Sequence, residues 1–245
     1  MDMLGCTAMT PPASQTSSSP SPTGRLVVAI DGPAGAGKST TARMLAERLG
    51  YALLDTGAIY RSLALTARER GVSWDDGAAV AALAAGLDIH FRFEAGVNRV
   101  RLGDRDVTGE IRTPEISDGA SRVSALPPVR AALLDLQRRL GAQGGVVVEG
   151  RDVGTVVFPE AGAKFFLTAT AKERAHRRAE ELRAGGRVVD EDAVLRDIVT
   201  RDDRDTQRAV APLRKDDDAL QVDSDTMTPA QVVDLLWTEV RRRGG

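Results

Sequence analysis

The sequence has little of several residue types on which particular kinds of site depend. Its 245 residues include a single cysteine, Cys6, which excludes an internal disulfide and a cysteine-rich zinc site and favours a reducing cytoplasm. The two histidines, His90 and His176, are too few for a histidine-based metal site. No apolar run approaches the roughly 20 residues of a membrane-spanning helix. The net charge of −2 gives no general attraction to nucleic acid or to an anionic membrane.

The first 24 residues are rich in Ser, Thr and Pro, carry almost no charge and show no periodicity. Such a composition cannot bury enough apolar surface to order itself, so we predict a disordered tail over 1–24. The tail also lacks the positive start and long apolar middle of a secretory signal. We expect one folded unit over 25–243, large enough for a sizeable core, and a monomer, because the pattern leaves no apolar surface to spare.

Residues 25–40 contain a motif between a predicted strand and a predicted helix. The apolar, β-branched run 26–30 is typical of a strand buried on both faces. Residues 32–39 then match G-x-x-x-x-G-K-[ST] at every fixed position. A helix is predicted next from apolar residues at i, i+3, i+4 and i+7, namely Ala42, Leu45, Ala46 and Leu49. For the pattern alone the alternative is a glycine-rich surface loop, but this context favours an anion site at a helix N-terminus.

We therefore predict a phosphate-binding loop for ATP. Glycines let the backbone curl so that several N–H groups point at the phosphates. Lys38 is expected to contact the β- and γ-phosphates, and the Ser39 hydroxyl to bind Mg²⁺. The predicted ATP contacts are Gly32, Pro33, Ala34, Gly35, Ala36, Gly37, Lys38, Ser39 and Thr40.

The rest of the chain alternates strands with helices. Further short strands are predicted at 51–54, 146–148, 164–167 and 219–222, and helices at 58–70, from 170 to the Gly185-Gly186 pair, from 190 to about 206, and from 228 onward. Five strands separated by helices predict a three-layer α/β domain with a parallel sheet. Its ligands should lie beyond the carboxyl ends of the strands.

One block, at about 75–140, interrupts this alternation. It contains an alanine-rich helix at 75–86, an alternating strand at 87–93, a hairpin at 100–107 and helices at 114–124 and 127–140. We interpret it as an inserted subdomain between core segments 25–74 and 141–243.

Charged residues recur at spacings that could build a site. Arg201, Arg204, Asp205 and Arg208 fall at i, i+3, i+4 and i+7, which indicates either a solvated face with ion pairs or a guanidinium row facing a polyphosphate. Arg174, Arg177, Arg178, Arg183 and Arg187 lie before and around Gly185-Gly186, and could close over a nucleotide as a mobile lid at about 172–190.

Arg151 and Asp152 end a buried strand, where charged groups are either paired or face a site, and we favour a site.

The motifs narrow the kind of phosphate-loop protein. A guanine-binding switch protein needs an Asn-Lys-x-Asp element, but the only asparagine, Asn98, precedes Arg99 and Val100. A large motor or helicase needs more chain. A small-molecule kinase remains, in which catalysis is mostly positioning and neutralisation of charge.

Six segments together resemble bacterial cytidylate kinases. They are Ile-Asp-Gly-Pro-Ala-Gly-Ala-Gly-Lys-Ser at 30–39, Leu-Asp-Thr-Gly-Ala-Ile-Tyr-Arg at 54–61, Gly-Glu-Ile-Arg at 109–112, Glu-Gly-Arg-Asp-Val-Gly-Thr at 149–155, Glu-Arg-Ala-His-Arg-Arg at 173–178 and Arg-Asp-Asp-Arg-Asp at 201–205. The likeness covers about 25–243. It implies a three-layer P-loop NTPase fold with a five-stranded parallel sheet, a nucleoside-monophosphate-binding insert at about 75–140 and a helical lid.

The resemblance also implies an activity and a set of roles. The γ-phosphoryl group of ATP would be transferred to CMP or dCMP with Mg²⁺, and Lys38, Arg61 and Arg151 would be catalytic. Carried over by position, the base would meet Thr56, Arg130, Asp152 and Arg208, the sugar Ser121, Arg201 and Asp205, and the acceptor phosphate Arg61 and Arg151 with Tyr60 nearby. Glu149 stands where other members can carry Asp. The alternatives are a kinase for uridylate, adenylate or a metabolite such as shikimate, and a non-catalytic nucleotide-binding module.

Overall fold

A computed structural model describes residues 25–94 and 97–245. The predicted disordered tail, 1–24, lies outside the described residues. The strands are β1 (Val27–Asp31), β2 (Ala52–Asp55), β3 (Ile89–Glu94), β4 (Val97–Leu102), β5 (Arg105–Asp106), β6 (Val146–Glu149), β7 (Ala163–Thr168) and β8 (Leu220–Asp223). The helices are α1 (Lys38–Leu49), α2 (Thr56–Glu69), α3 (Gly77–Ala85), α4 (Pro114–Ser124), α5 (Pro127–Gly141), α6 (Ala171–Ala184), α7 (Glu191–Gln207) and α8 (Pro229–Arg242).

The central sheet has five strands in the order β2-β6-β1-β7-β8. Every pair in it is parallel, and Ala29 on β1 lies opposite Val148 on one side and Lys164 on the other. The strands are apolar because helices cover both faces of the sheet. The predicted three-layer α/β fold with a five-stranded parallel sheet is therefore confirmed. None of the helices in the described part of the chain is long and apolar enough to span a membrane.

Two apolar cores lie on opposite faces of this sheet. On one face, Val28, Ile30 and Phe165 pack with Leu45 of α1 and Leu236 of α8, all nearly inaccessible to solvent. On the other face, sheet residues pack with α2, and this core continues without a break into α3, α4 and α5 through residues such as Val80, Ile116 and Leu133. Packed apolar cores on both faces of the sheet therefore support the carboxyl ends of the strands.

The block at 75–140 contains a second sheet. Its strands β3, β4 and β5 are antiparallel, with Ile89 opposite Leu102 and Arg101 opposite Asp106. The predicted hairpin is thus the outer part of a three-stranded sheet. The division of the chain into core, insert and lid stays a prediction.

Two local features differ from the sequence patterns. First, α2 begins at Thr56, two residues earlier than predicted, because the Asp55 carboxylate accepts from the Ala58 amide and caps it. Second, a single π-helical turn, Val153–Val157, follows β6 where no helix was predicted. The end of α7 agrees with the prediction: the helix ends at Gln207, and Arg208 lies in extended backbone just beyond it.

Candidate active site

A cleft of about 1180 Å³ opens at the carboxyl edge of the central sheet. It is lined by the loop between β1 and α1, by the ends of β2 and β6, and by parts of α4, α6 and α7. The predicted site residues that line it are Ala34, Gly35, Ala36, Gly37, Lys38, Ser39, Thr40, Thr56, Tyr60, Arg61, Ser121, Arg130, Arg151, Asp152, Arg201, Asp205 and Arg208. Gly32 and Pro33 do not line it. Residues from helices α1, α2, α4, α5 and α7, and from the loops that follow β1, β6 and α7, thus meet in one cleft.

The backbone of the phosphate loop needs its glycines. Gly32 has a φ of +145°, and a Cβ there would lie 2.0 Å from the Leu167 carbonyl oxygen. At Gly35, with a φ of +78°, a Cβ would meet the Cβ of Arg174 at 3.0 Å. The loop is therefore fixed by close packing against β7 and α6.

Lys38 is the buried cation of this loop. Its Nζ donates to the Pro33 carbonyl oxygen at 2.6 Å, so the side chain folds back over the loop. Burial lowers the pKa of Lys38 and the nearby Arg151 lowers it further, whereas Glu149 and Asp205 oppose this change. An anion such as a triphosphate would stabilise an ammonium group that is buried beside another cation.

The side-chain oxygens of Ser39 and Glu149 lie together near Lys38. The Ser39 hydroxyl donates to Oε2 of Glu149 at 2.8 Å. Burial raises the pKa of Glu149, and the neighbouring Asp55 adds to the rise. Among the described residues no group of three or more His, Cys, Asp or Glu could hold a metal ion alone. Hydroxyl and carboxylate oxygens suit Mg²⁺, which keeps few protein ligands when phosphates supply the others, so the residues present fit this ion.

Arg61, Arg151 and Arg201 form a crowded group of guanidiniums. Arg61 donates to Asp55 at 2.6 Å, and Arg151 donates to Asp205 at 2.8 Å. Burial lowers the pKa of Arg201 to about 10, and Arg151 and Arg61 contribute to the fall. The Nε atoms of Arg61 and Arg201 are buried and have no hydrogen-bond partner in the described chain. Unused donors on like-charged groups indicate a site for a phosphate.

Asp152 lies in the wall of the cleft and is bonded to two buried arginines. Arg130 donates to its Oδ2, and Arg208 donates to its Oδ1 at 3.1 Å. The Arg130 guanidinium also lies over the Tyr60 ring, 5.7 Å from its centroid. Thr56 donates to the Glu149 carbonyl oxygen at 2.7 Å. Each carboxylate oxygen of Asp152 keeps acceptor capacity after these bonds, so a buried acceptor remains for a ligand.

Comparisons with known proteins agree with this geometry. The family model described as cytidylate kinase matches residues 28–242. The chain belongs to the cytidylate kinase family. The cytidylate kinase of Geobacter sp. (strain M21) is 48% identical over 218 residues, which are 89% of this chain and 94% of that protein. The cytidylate kinase of Pseudomonas aeruginosa (strain UCBPP-PA14) is 50% identical over 220 residues, covering 89% and 96%.

Family membership confirms the prediction of an ATP-dependent nucleoside monophosphate kinase. Among solved structures, a gluconokinase from Sinorhizobium meliloti 1021 is similar over 89% of this chain and 92% of that chain, at 15% identity. Its TM-score is 0.46, too low to add to the fold described above.

The five arginines predicted to form a lid do not all line the cleft. Arg177 and Arg178 line the cleft. Arg174 does not: it is buried, donates to the carbonyl oxygens of Ala34 and Ala169, and binds both carboxylate oxygens of Asp202. The expectation that Arg174 belongs to a mobile nucleotide-facing cluster is therefore wrong, because its bonds fasten α6 to the phosphate loop and to α7.

The charged row that begins on α7 continues beyond the helix. Arg208 lies just past the end of the helix, which agrees with the predicted end at about 206, and it reaches the cleft from extended backbone. Arg204 donates to the Ser121 hydroxyl oxygen at 2.8 Å and to Asp118 at 3.2 Å, and so links α7 to α4. Spacing alone placed Arg204 in the charged row but could not show this partner.

Proposed function

We propose that this enzyme binds ATP and its acceptor, CMP or dCMP, at opposite ends of the described cleft and transfers the γ-phosphoryl group between them. The amides of 34–39 and the Lys38 ammonium would bind the β- and γ-phosphates. Ser39 would hold Mg²⁺ with Glu149 beside it, and the ion when bound would neutralise charge on the phosphates. Support comes from the buried cation and the fixed curl of the loop.

The acceptor phosphate is assigned to Arg61 and Arg151, with Tyr60 in the wall behind them. Arg61 has a buried Nε without a partner among the described residues, and Arg151 lies close enough to Lys38 to lower its pKa. These cations would offset repulsion between the two phosphates and hold them in line. The residues therefore act by position and charge, as phosphoryl transfer requires.

The base is assigned to Thr56, Arg130, Asp152 and Arg208. Asp152 can accept a hydrogen bond from the amino group of cytosine, because each of its oxygens is used only once by the arginines. Uracil has a carbonyl at that position, which would face the carboxylate acceptor to acceptor. A mispaired buried polar group costs about 1–3 kcal/mol, so this contact would favour cytosine.

The sugar is assigned to Ser121, Arg201 and Asp205. Ser121 and Asp205 are buried at the cleft wall, on α4 and α7 respectively. Burial opposes ionisation of Asp205, but Arg151, Arg208 and Arg201 together hold the pKa of this carboxyl below its usual value. A carboxylate that stays ionised can accept from a sugar hydroxyl at neutral pH.

One observation carries the proposal: Lys38, Arg61 and Arg151 share a single cleft with Asp152. The test is to incubate the purified enzyme with ATP, Mg²⁺ and CMP and to quantify the nucleotides by chromatography. CDP and ADP in equal amounts are the expected result. ADP without CDP would contradict the proposed acceptor. The monomeric state and the cytoplasmic location remain predictions from the sequence.

A further inference from the structure

Asp31 is a buried carboxylate that the proposed roles leave unused. It ends β1, immediately before the phosphate loop, and is only 5% exposed. Its Oδ1 accepts from the Val153 amide and its Oδ2 from the Gly154 amide, both at 2.8 Å. Both oxygens of one carboxylate thus bind a segment that is more than 120 residues away in the sequence.

A second bond fastens the other end of that segment to β1. The Gly150 amide donates to the Ile30 carbonyl oxygen at 3.0 Å. Between the two attachments lie only Arg151 and Asp152, which are assigned to the acceptor phosphate and the base. We name residues 150–154 the acceptor loop. The last two residues of β1 therefore hold the acceptor loop at both ends.

Close packing leaves the acceptor loop little freedom. A Cβ on Gly150 would lie 2.6 Å from Thr56 Oγ1 and from a Val153 methyl carbon. A Cβ on Gly154 would lie 3.2 Å from Lys164 Cδ and 3.5 Å from Asp31 Oδ2. Since the phosphate loop begins at the residue after Asp31, the same strand end fixes both loops.

We propose that Asp31 is a positioning residue that sets the place of the acceptor loop relative to the phosphate loop. It acts through the backbone of Val153 and Gly154 on the side chains of Arg151 and Asp152. The inference rests on the proposed function, because that function assigns those two side chains to the acceptor. Bonds from two amides to an ionised carboxylate are stronger than bonds to a neutral amide, so the charge of Asp31 matters as well as its shape.

The test is Asp31→Asn in the full chain, studied by steady-state kinetics. An amide keeps one acceptor oxygen, but its NH₂ group would face one of the two N–H donors. We expect kcat/KM for CMP to fall by about tenfold or more, because small misplacements of reacting groups are costly. The KM for ATP should stay within about twofold, since the hydrogen bonds of the Asp31 side chain go to the acceptor loop and its charge affects Lys38 less than those of Glu149 and Asp205 do. The preference for CMP over UMP should fall as Asp152 shifts.

Asp76→Asn is the matched control. Asp76 caps α3 by accepting from the Ala79 amide at 3.0 Å and lies outside the cleft. The Asp76→Asn substitution also removes the charge of a carboxylate that accepts from a backbone amide. The kinetics of this variant should match those of the wild type. Unfolding curves for both variants separate the kinetic effect from a loss of folded protein.

Gly154→Ala tests the same contact from the other side without changing Asp31. The added methyl group would press on Lys164 Cδ at 3.2 Å and would touch Asp31 Oδ2 at 3.5 Å, so we expect the same kinetic pattern with a smaller size. Wild-type kcat/KM for CMP in folded Asp31→Asn, or an equal rise in KM for both substrates, would overturn the inference. If Asp31→Asn fails to fold, unchanged acceptor kinetics in Gly154→Ala overturn it instead. A wild type that cannot phosphorylate CMP would overturn the proposed function itself.

Discussion

The Ser39 hydroxyl donates to a carboxylate oxygen of Glu149 at 2.8 Å, which joins the first turn of α1 to the end of β6. The sequence left open whether Glu149 takes part in the site, because other members of the family can carry Asp there. In the structure Glu149 lies close enough to Lys38 for each to shift the pKa of the other. The proposed site for the ATP phosphates therefore contains a buried acid, Glu149, as well as a buried base, Lys38.

This acid makes the stability of the ligand-free enzyme depend on pH. Burial, followed by Asp55, raises the pKa of Glu149 from 4.5 to about 7. Between these values the folded state binds a proton that the unfolded state has lost, so the free energy of unfolding falls as pH rises. Asp31 also makes the free energy of unfolding fall as pH rises, but only up to about pH 6. Lys38 makes the free energy of unfolding rise with pH, but only above about pH 7.

We therefore expect Glu149→Gln to flatten this pH dependence between about pH 6 and 7. The slope lost can reach about 1.4 kcal/mol per pH unit for one full proton. Denaturant unfolding of wild type and variant at several pH values in this window is the measurement. Parallel stability curves for the two proteins would show that Glu149 is ionised throughout.

Replacing Lys38 tests the proposed site for the ATP phosphates. Lys38→Ala should abolish turnover, because no other lysine lines the cleft to contact the β- and γ-phosphates. The fold should survive, since the bond of Lys38 to the Pro33 carbonyl is local to the loop. An ADP-release assay beside circular dichroism checks both statements. Lys215→Ala, at an exposed position outside the cleft, is the control and should keep full activity.

Replacing Asp152 tests recognition of the base. Loss of its charge should lower the preference for CMP over UMP far more than it weakens ATP binding. Asp152→Ala would also leave Arg130 and Arg208 buried without their carboxylate, which destabilises the protein by about 3–5 kcal/mol. Asp152→Asn retains the shape and is the more informative variant. Rates on both acceptors and the ATP KM are measured, and unchanged CMP-over-UMP selectivity would refute the assignment.

Arg204 provides a test of the sugar site. Its donation to Ser121 Oγ uses one lone pair of the hydroxyl oxygen, which leaves the hydroxyl proton free to donate to a sugar oxygen. We expect Arg204→Met to raise the KM for CMP by about 5-fold, the size of one hydrogen bond, with little change for ATP. Arg196→Met is the control, since Arg196 is on the same helix, is exposed and has an ion pair with only Asp190, at 3.6 Å, within the described part of the chain. Equal acceptor KM values in the two variants would remove Arg204 from the site.

Local patterns were enough to predict the central sheet and the phosphate loop. Both depend on short stretches of sequence: an apolar strand and a glycine-rich turn before a helix such as α1. The missed features depend on long-range partners. The π-helical turn at Val153–Val157 forms where two amides meet the Asp31 carboxylate, and Arg174 is held by Asp202 on another helix. Spacing shows where a charge lies on its own element, but not which distant group will pair with it.

Values of kcat/KM for CMP, dCMP, UMP and AMP, measured with saturating ATP, test most directly that a cytosine-specific acceptor site lies beside Lys38. A buried acceptor at Asp152 predicts that kcat/KM is ~5- to 150-fold higher for CMP and dCMP than for UMP and AMP. UMP or AMP used as well as CMP would contradict that prediction.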